Sequence, residues 1–272
     1  MTHKEKHMVK LSFVWILRFL QNYFKMKSIV EIEIKENGIG FLEINNPPVN
    51  ALSLRLIDSL SDFLCSLSKK VKVLIISSSG KGFCAGADLK ERTKMSRSET
   101  LDTIKKYSDL FEILQNVHCP TFARMHGFVL GGGLELSLAC DFRFATKETV
   151  LGFPEVGIGI IPGAGGTQRL PYLIGLSKSK EWIFTADKFL AEKAYSDGIL
   201  DKVFSNEKEM DDYIQRMAKK IIKNCKMAVA LSKKSLNYSL NDYLDKGLFF
   251  EKKMYAKTFD SEIRKQILGK YK

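Results

Sequence analysis

The sequence predicts an α/β layered core with an all-helical appendage, on three observations. Strand-like apolar segments alternate with helical stripes from about residue 29 to 204, the pattern of βαβ-type crossovers. From about residue 207 onward only helical patterns appear. The 272 residues are 45% hydrophobic and 27% charged, enough apolar material for a large core without disulfide or metal staples. The expected parts are an extension over 1–27, a core over 28–204 and a helical region over 205–272.

The elements follow in order. Ile29–Lys35 alternates, Asn37-Gly38 can turn, and Ile39–Ile44 is apolar, which is a hairpin signal. Leu54, Ile57, Leu60, Leu64 and Leu67 recur at helical spacing. Val71–Ser77 reads as a buried strand and Gly80–Asp88 as a Gly- and Ala-rich loop. Ser96 and Glu99 form a capping box for a helix carrying Leu101, Ile104, Leu110, Leu114 and Val117, ended by Pro120. Thr121–Leu130 is strand-like, Gly131-Gly132-Gly133 opens a short apolar helix to about Cys140, and Asp141–Ala145 is another strand. Gly157–Gly166 reads as a loop, Ser177–Ala186 and Ala191–Asp197 as helices, and Ile199–Phe204 as a strand. No internal repeat is visible.

The net charge of +12 suggests nucleic acid until it is divided. Residues 1–27 carry +5, residues 207–272 carry +7, and residues 28–206 balance 21 bases against 21 acids. Chemistry in the middle is therefore not built on a basic patch, and a nucleic-acid-binding module using the basic C-terminal helices is the different-class alternative. The modest basic bias favours anionic partners, phosphorylated small molecules included. Five scattered Cys without a CxxC suit a reducing compartment. Four scattered His exclude a histidine metal site. No run of 18 apolar residues exists, so no transmembrane helix is expected. Residues 1–27 are basic and amphipathic. They read either as a disordered extension, with Met26 an alternative start, or as a mitochondrial presequence. The expected location is cytoplasmic, or the mitochondrial matrix if the presequence reading holds.

Three Gly-rich segments hold the chemistry. In SSSGKGFCAGADLKE (77–91) a strand runs into a loop without side-chain bulk at Ala85, Gly86 and Ala87, where backbone N–H groups can approach a ligand; a plain strand-to-helix turn suits it equally. In GFVLGGGLELSLACD (127–141) a Gly run opens a helix whose N-terminus suits developing negative charge. Glu135 is the sole charge between Gly127 and Cys140, so its pKa should be raised into a range useful for proton transfer; the alternative is a structural Glu paired to a distant Arg. In LGFPEVGIGIIPGAGGTQR (151–169) Glu155 stands alone among apolar and Gly residues. The two acids form a candidate pair with separate proton tasks, unless Glu155 merely caps a turn. Asp141, at a helix end before a strand, reads as structural. No dinucleotide fingerprint, P-loop or GxSxG elbow is present, and Ser177-x-x-Lys180 lacks its partner motifs.

Together GKGFCAGADLKE, GGGLELSLACD and PEVGIGIIPGAGGTQRL resemble the crotonase superfamily, the enoyl-CoA hydratase/isomerase family, over roughly residues 28–260. GTQRLPYLIGLSKSKEWIFTA is similar to short-chain enoyl-CoA and methylglutaconyl-CoA hydratases. The resemblance implies a ClpP/crotonase spiral core of ββα turns with a C-terminal helical region that packs trimers, often paired as hexamers. It implies that the Ala87 and Gly132 amides form an oxyanion hole. Ala85, Gly86, Asp88, Leu89 and Lys90 would line the coenzyme A side, and Gly163 would lie beside the second acid. Glu135 would act as base toward water and Glu155 would deliver a proton to C2, giving a 3-hydroxyacyl-CoA. The substrate would be an acyl-CoA thioester, with no metal or other cofactor. The same-family alternative is a Δ3,Δ2-enoyl-CoA isomerase, which commonly keeps only the second acid. Residues 1–27 match nothing in the family core, and the C-terminus stops short of the family's usual tail.

Because residues 1–27 differ in composition from the core, deleting 1–25 should leave folding and turnover near wild type. A truncated protein that fails to fold or assemble would contradict this.

Overall fold

A computed structural model describes residues 29–257 together with 259, 266, 269 and 270. The extension over 1–27 lies outside the described residues. The described residues open with β1 (Val30–Ile34) and β2 (Ile39–Ile44), antiparallel with Val30 opposite Ile44. The Asn37 side chain accepts from Ile39 N at 3.0 Å and closes the hairpin turn. Then come α1 (Leu54–Cys65), β3 (Val73–Ser78), the single turn α2 (Leu89–Arg92) and α3 (Arg97–Asn116). α1 buries Leu56, Ile57, Leu60 and Leu64; of the expected stripe, Ile57, Leu60 and Leu64 face the core, Leu54 is half-buried, and Leu67 is buried just beyond the end of the helix. The capping box is formed in full: Ser96 accepts from Glu99 N and Glu99 accepts from Ser96 N.

β4 (Thr121–Met125), β5 (Phe128–Leu130), α4 (Gly132–Leu138), β6 (Phe142–Thr146) and β7 (Val150–Gly152) follow. After a 3₁₀ turn over Pro154–Ile158 come α5 (Gly166–Phe184), β8 (Lys188–Leu190), α6 (Ala191–Asp197), β9 (Lys202–Phe204), α7 (Glu207–Ile222) and α8 (Lys226–Lys257). One sheet has the order β1-β2-β3-β4-β6-β9, parallel from β2 onward; a second has the order β5-β7-β8. The main core packs α1 and α3 against these sheets through Leu56, Leu60, Leu110, Phe111 and Leu114. A second cluster seats α7 on the other face of the large sheet through Phe122, Phe144, Met210 and Ile214.

Three features differ from the sequence expectation. Thr121–Leu130 is two strands in different sheets, because the chain turns at Gly127 with φ +63°. A Cβ there would lie 2.0 Å from the Lys81 carbonyl oxygen, so the close approach needs glycine. The helix expected from Ser177 is present but is preceded by another that starts at Gly166; the two join as α5 across a break at Gly175, where φ 77° and ψ 164° are not helical. β7 and β8 are three residues each, too short to show an alternation.

Asp141 ties the helical appendage to the core. It accepts from Thr121 N at 2.7 Å and Thr121 Oγ1 at 3.0 Å, and from Lys233 Nζ of α8 at 2.7 Å. Lys233 is buried and also donates to the Cys119 carbonyl. Removing one partner of a buried pair strands the other charge. Asp141→Ala should therefore cost roughly 3 kcal/mol, read as a lowered denaturation midpoint. An unchanged midpoint would show that Lys233 does not depend on this carboxylate.

Candidate active site

The loop after β3, the N-terminus of α4 and the 3₁₀ turn converge on one place. Leu52 N donates to the Gly86 carbonyl at 2.8 Å, and Leu130 N donates to Cys84 O at 3.0 Å. These bonds lay the 84–87 loop along the entrance to α4. A Cβ at Gly132 would sit 3.7 Å from Ala87 N, and one at Gly86 would sit 3.1 Å from Gly132 N. The two amides are thus neighbours, and neither donates to an acceptor among the described residues. Gly132 N belongs to the first turn of α4, where N–H groups have no intrahelical acceptor. Gly133 is equally confined, since a Cβ would lie 2.4 Å from the Cys84 carbonyl.

Glu135 points from the first turn of α4 into the interior and is 3% exposed. Its Oε1 accepts from Ala164 N at 2.9 Å and Gly166 N at 2.7 Å. Burial pushes its carboxyl above the ordinary carboxylate range; the two amides and the Arg169 guanidinium partly offset that. Glu155, in the 3₁₀ turn, is 8% exposed, and its Oε1 would meet a Cβ at Gly131 at 2.6 Å. Its Oε2 has no hydrogen-bond partner. Burial first, and then the charge of Glu135, raise its pKa well above the ordinary range. Both acids predicted from sequence therefore meet beside the two free amides.

The remaining predicted positions divide. Ala85 donates to the Val49 carbonyl at 3.1 Å. Asp88 caps α2, accepting from Lys90 N at 2.9 Å and Glu91 N at 3.1 Å, so its carboxylate has a structural task. Leu89 is half-buried and Lys90 exposed on that turn. Gly163 faces Tyr255 of α8 and Ile104 of α3, where a Cβ would fall 3.0 and 3.1 Å from them.

Two buried groups were missed. Glu251, on α8, is 2% exposed. It accepts from Gly165 N at 2.9 Å, from Thr167 N at 3.2 Å and from the Thr167 hydroxyl. Burial and the Glu135 charge push it up to about 8. Its signal was a lone acid after the apolar run Leu248-Phe249-Phe250. Arg169 is buried below the loop, donating to Gln115 Oε1 at 2.8 Å and to the Ala164 carbonyl at 3.0 Å. Burial disfavours its charged form, offset by Glu135 and Glu251. Among the described residues no group of His, Cys, Asp or Glu could hold a metal ion, and no helix is long and apolar enough to cross a membrane.

Known proteins carry the same arrangement of sequence and fold. The profile of the enoyl-CoA hydratase/isomerase family matches residues 34–272. The chain is 38% identical to the mitochondrial methylglutaconyl-CoA hydratase of Homo sapiens over 248 residues, covering 89% of this chain and 73% of that protein. It is 34% identical to the crotonyl-CoA hydratase of Syntrophomonas wolfei over 236 residues, covering 85% and 90%. The crystal structure of an enoyl-CoA hydratase from Bacillus anthracis superposes with a TM-score of 0.76 at 33% identity, covering 90% of this chain and 96% of that one. Fold, sequence and the paired acids beside two free amides agree: this chain belongs to the enoyl-CoA hydratase/isomerase family, with the crotonase fold.

Proposed function

We propose that this protein adds water in syn fashion to a 2-enoyl-CoA thioester, giving a 3-hydroxyacyl-CoA. The observation that carries the reading is the contrast between Glu135 and Glu155. Two amide N–H groups point at Glu135 Oε1, and such donors favour an ionised acceptor. Glu155 has one buried oxygen without any donor and lies within reach of the Glu135 charge, which favours the neutral acid. At neutral pH one carboxylate can then take a proton while the other can give one.

The chemistry balances with these groups. Glu135 takes a proton from water as its oxygen bonds to C3. The C2–C3 π electrons move into the thioester, placing charge on its carbonyl oxygen. The Ala87 and Gly132 amides stabilise that oxygen. The electron pair then returns to C2, which takes the proton of Glu155. Neither step calls for a metal or redox partner. Ala85, Gly86, Leu89 and Lys90 form the coenzyme A side, Lys90 offering an exposed cation to phosphate.

The methylglutaconyl-CoA and crotonyl-CoA relatives support a short acyl group. Tyr172, Leu173, Leu176 and Leu231 leave exposed apolar surface on α5 and α8, of a kind that assemblies cover. This supports an assembly, and the family resemblance makes it a homotrimer or a hexamer of paired trimers. Five free cysteines suit a reducing cytoplasm.

Glu135→Gln and Glu155→Gln should each lower kcat on crotonyl-CoA by ~10²–10⁴-fold with little change in KM. Double-bond isomerisation should survive Glu135→Gln better than hydration does, because it needs no attacking water. Normal hydration by Glu135→Gln beside a dead Glu155→Gln would make the protein an isomerase-like single-acid enzyme and overturn the two-acid reading. The wild-type kcat profile should be a bell with both limbs above the ordinary carboxylate range: Glu135 must lose its proton on the acid side, and Glu155 must keep one on the alkaline side. Limbs in the ordinary range would contradict the buried pair. Sedimentation should give a trimer or hexamer; a monomer would contradict the assembly.

A further inference from the structure

The N-terminus of α5 has no cap from its own neighbouring side chains. Its amides instead alternate between two acids from distant parts of the chain. Ala164 N and Gly166 N go to Glu135, while Gly165 N and Thr167 N go to Glu251. Gly165 holds φ +102°, and a Cβ there would fall 2.0 Å from Arg169 Nη1, so this tight run fits between its partners only as glycine. The Thr167 hydroxyl accepts from Gln168 Nε2 and donates to Glu251, so both Glu251 oxygens serve as acceptors. A helix N-terminus favours negative charge, and here it holds two carboxylates where a helix ordinarily has one cap.

We propose that Glu251 is a positioning residue for hydration. By holding Gly165 and Thr167 it keeps the Ala164 and Gly166 amides aimed at Glu135; once ionised, above about pH 8, its charge also helps Glu155 keep its proton. This rests on the hydratase reading above. The C-terminal helix thereby becomes part of the site. Without Glu251 the loop loses every side-chain acceptor on one face, and Glu135 is aimed by a loop held from one side only. The groups facing Glu251 are Glu135 from α4, Glu155 from the 3₁₀ turn, and Arg169 and Thr167 from α5, with Glu112 of α3 acting on Arg169. One turn further along α8, Arg92 and Arg97 meet Tyr255 and Ala256. Arg169 is thus one buried cation among three buried carboxylates.

The test is Glu251→Gln, which keeps size but sets an NH₂ against an N–H donor and removes the charge. With crotonyl-CoA as probe, kcat should fall on the order of 10- to 10²-fold while KM stays within about twofold. The alkaline limb of the kcat profile should move to lower pH, because Glu155 loses a like-charged neighbour. Peptides spanning 160–170 should exchange amide hydrogens faster. Thr167→Val removes only the hydroxyl donor, so it should lower kcat less and leave the limb in place. A folded Glu251→Gln protein with wild-type kcat and limb overturns the proposal, as does lost activity with limb and exchange unchanged. If Glu251→Gln does not fold, a wild-type kcat in Thr167→Val overturns it. If the wild-type protein leaves crotonyl-CoA unhydrated, the hydratase reading fails; the exchange of 160–170 then decides the positioning by itself, and unchanged exchange in Glu251→Gln sinks it.

Discussion

The structure depends on one constraint: buried carboxylates must find donors, and the start of α5 supplies them. Four successive amides, from Ala164 to Thr167, are divided between Glu135 and Glu251. An ionised carboxylate moved out of water without partners is prohibitively costly. The loop's glycines allow its backbone to face both acids at once, because a Cβ at Gly166 would fall 2.9 Å from Glu135 Oε1. The same donors that make burial tolerable fix where the Glu135 carboxylate points.

Glu155 is the counterpart. It has the same chemical group, the same degree of burial and the same neighbourhood, yet one oxygen lacks a donor. Hydrogen bonding therefore separates the two acids where burial alone would treat them alike. The amides of Ala87 and Gly132 lie together next to Gly131, which Glu155 faces. They are held by main-chain bonds between the 84–87 loop, Leu52 and Leu130, which ties the site to β5 and its sheet.

Legibility in the sequence followed the range of the interactions. Local chemistry was readable: the hairpin turn at Asn37-Gly38, the Ser96–Glu99 capping box and the stripe on α1 are each set by residues a few positions apart. Glu135 and Glu155 were readable because an acid in an apolar, Gly-rich run has few innocent explanations. Glu251 was not, since its partners lie 84 and 86 residues away and its own helix reads as ordinary. The break between β4 and β5 was hidden for a similar reason. Its cause is the approach of Gly127 to Lys81, a tertiary contact with no local signature. The first half of α5, from Gly166 to the break at Gly175, was masked because its cap comes from other elements.

From this arrangement we infer that Glu135 is ionised and Glu155 protonated in the resting protein at neutral pH. Neutron diffraction from deuterium-exchanged crystals at pH 7 tests it directly. A deuteron is expected on a Glu155 carboxyl oxygen and none on Glu135, whose Oε1 receives the deuterons of Ala164 and Gly166. A deuteron on Glu135 with Glu155 bare would contradict it.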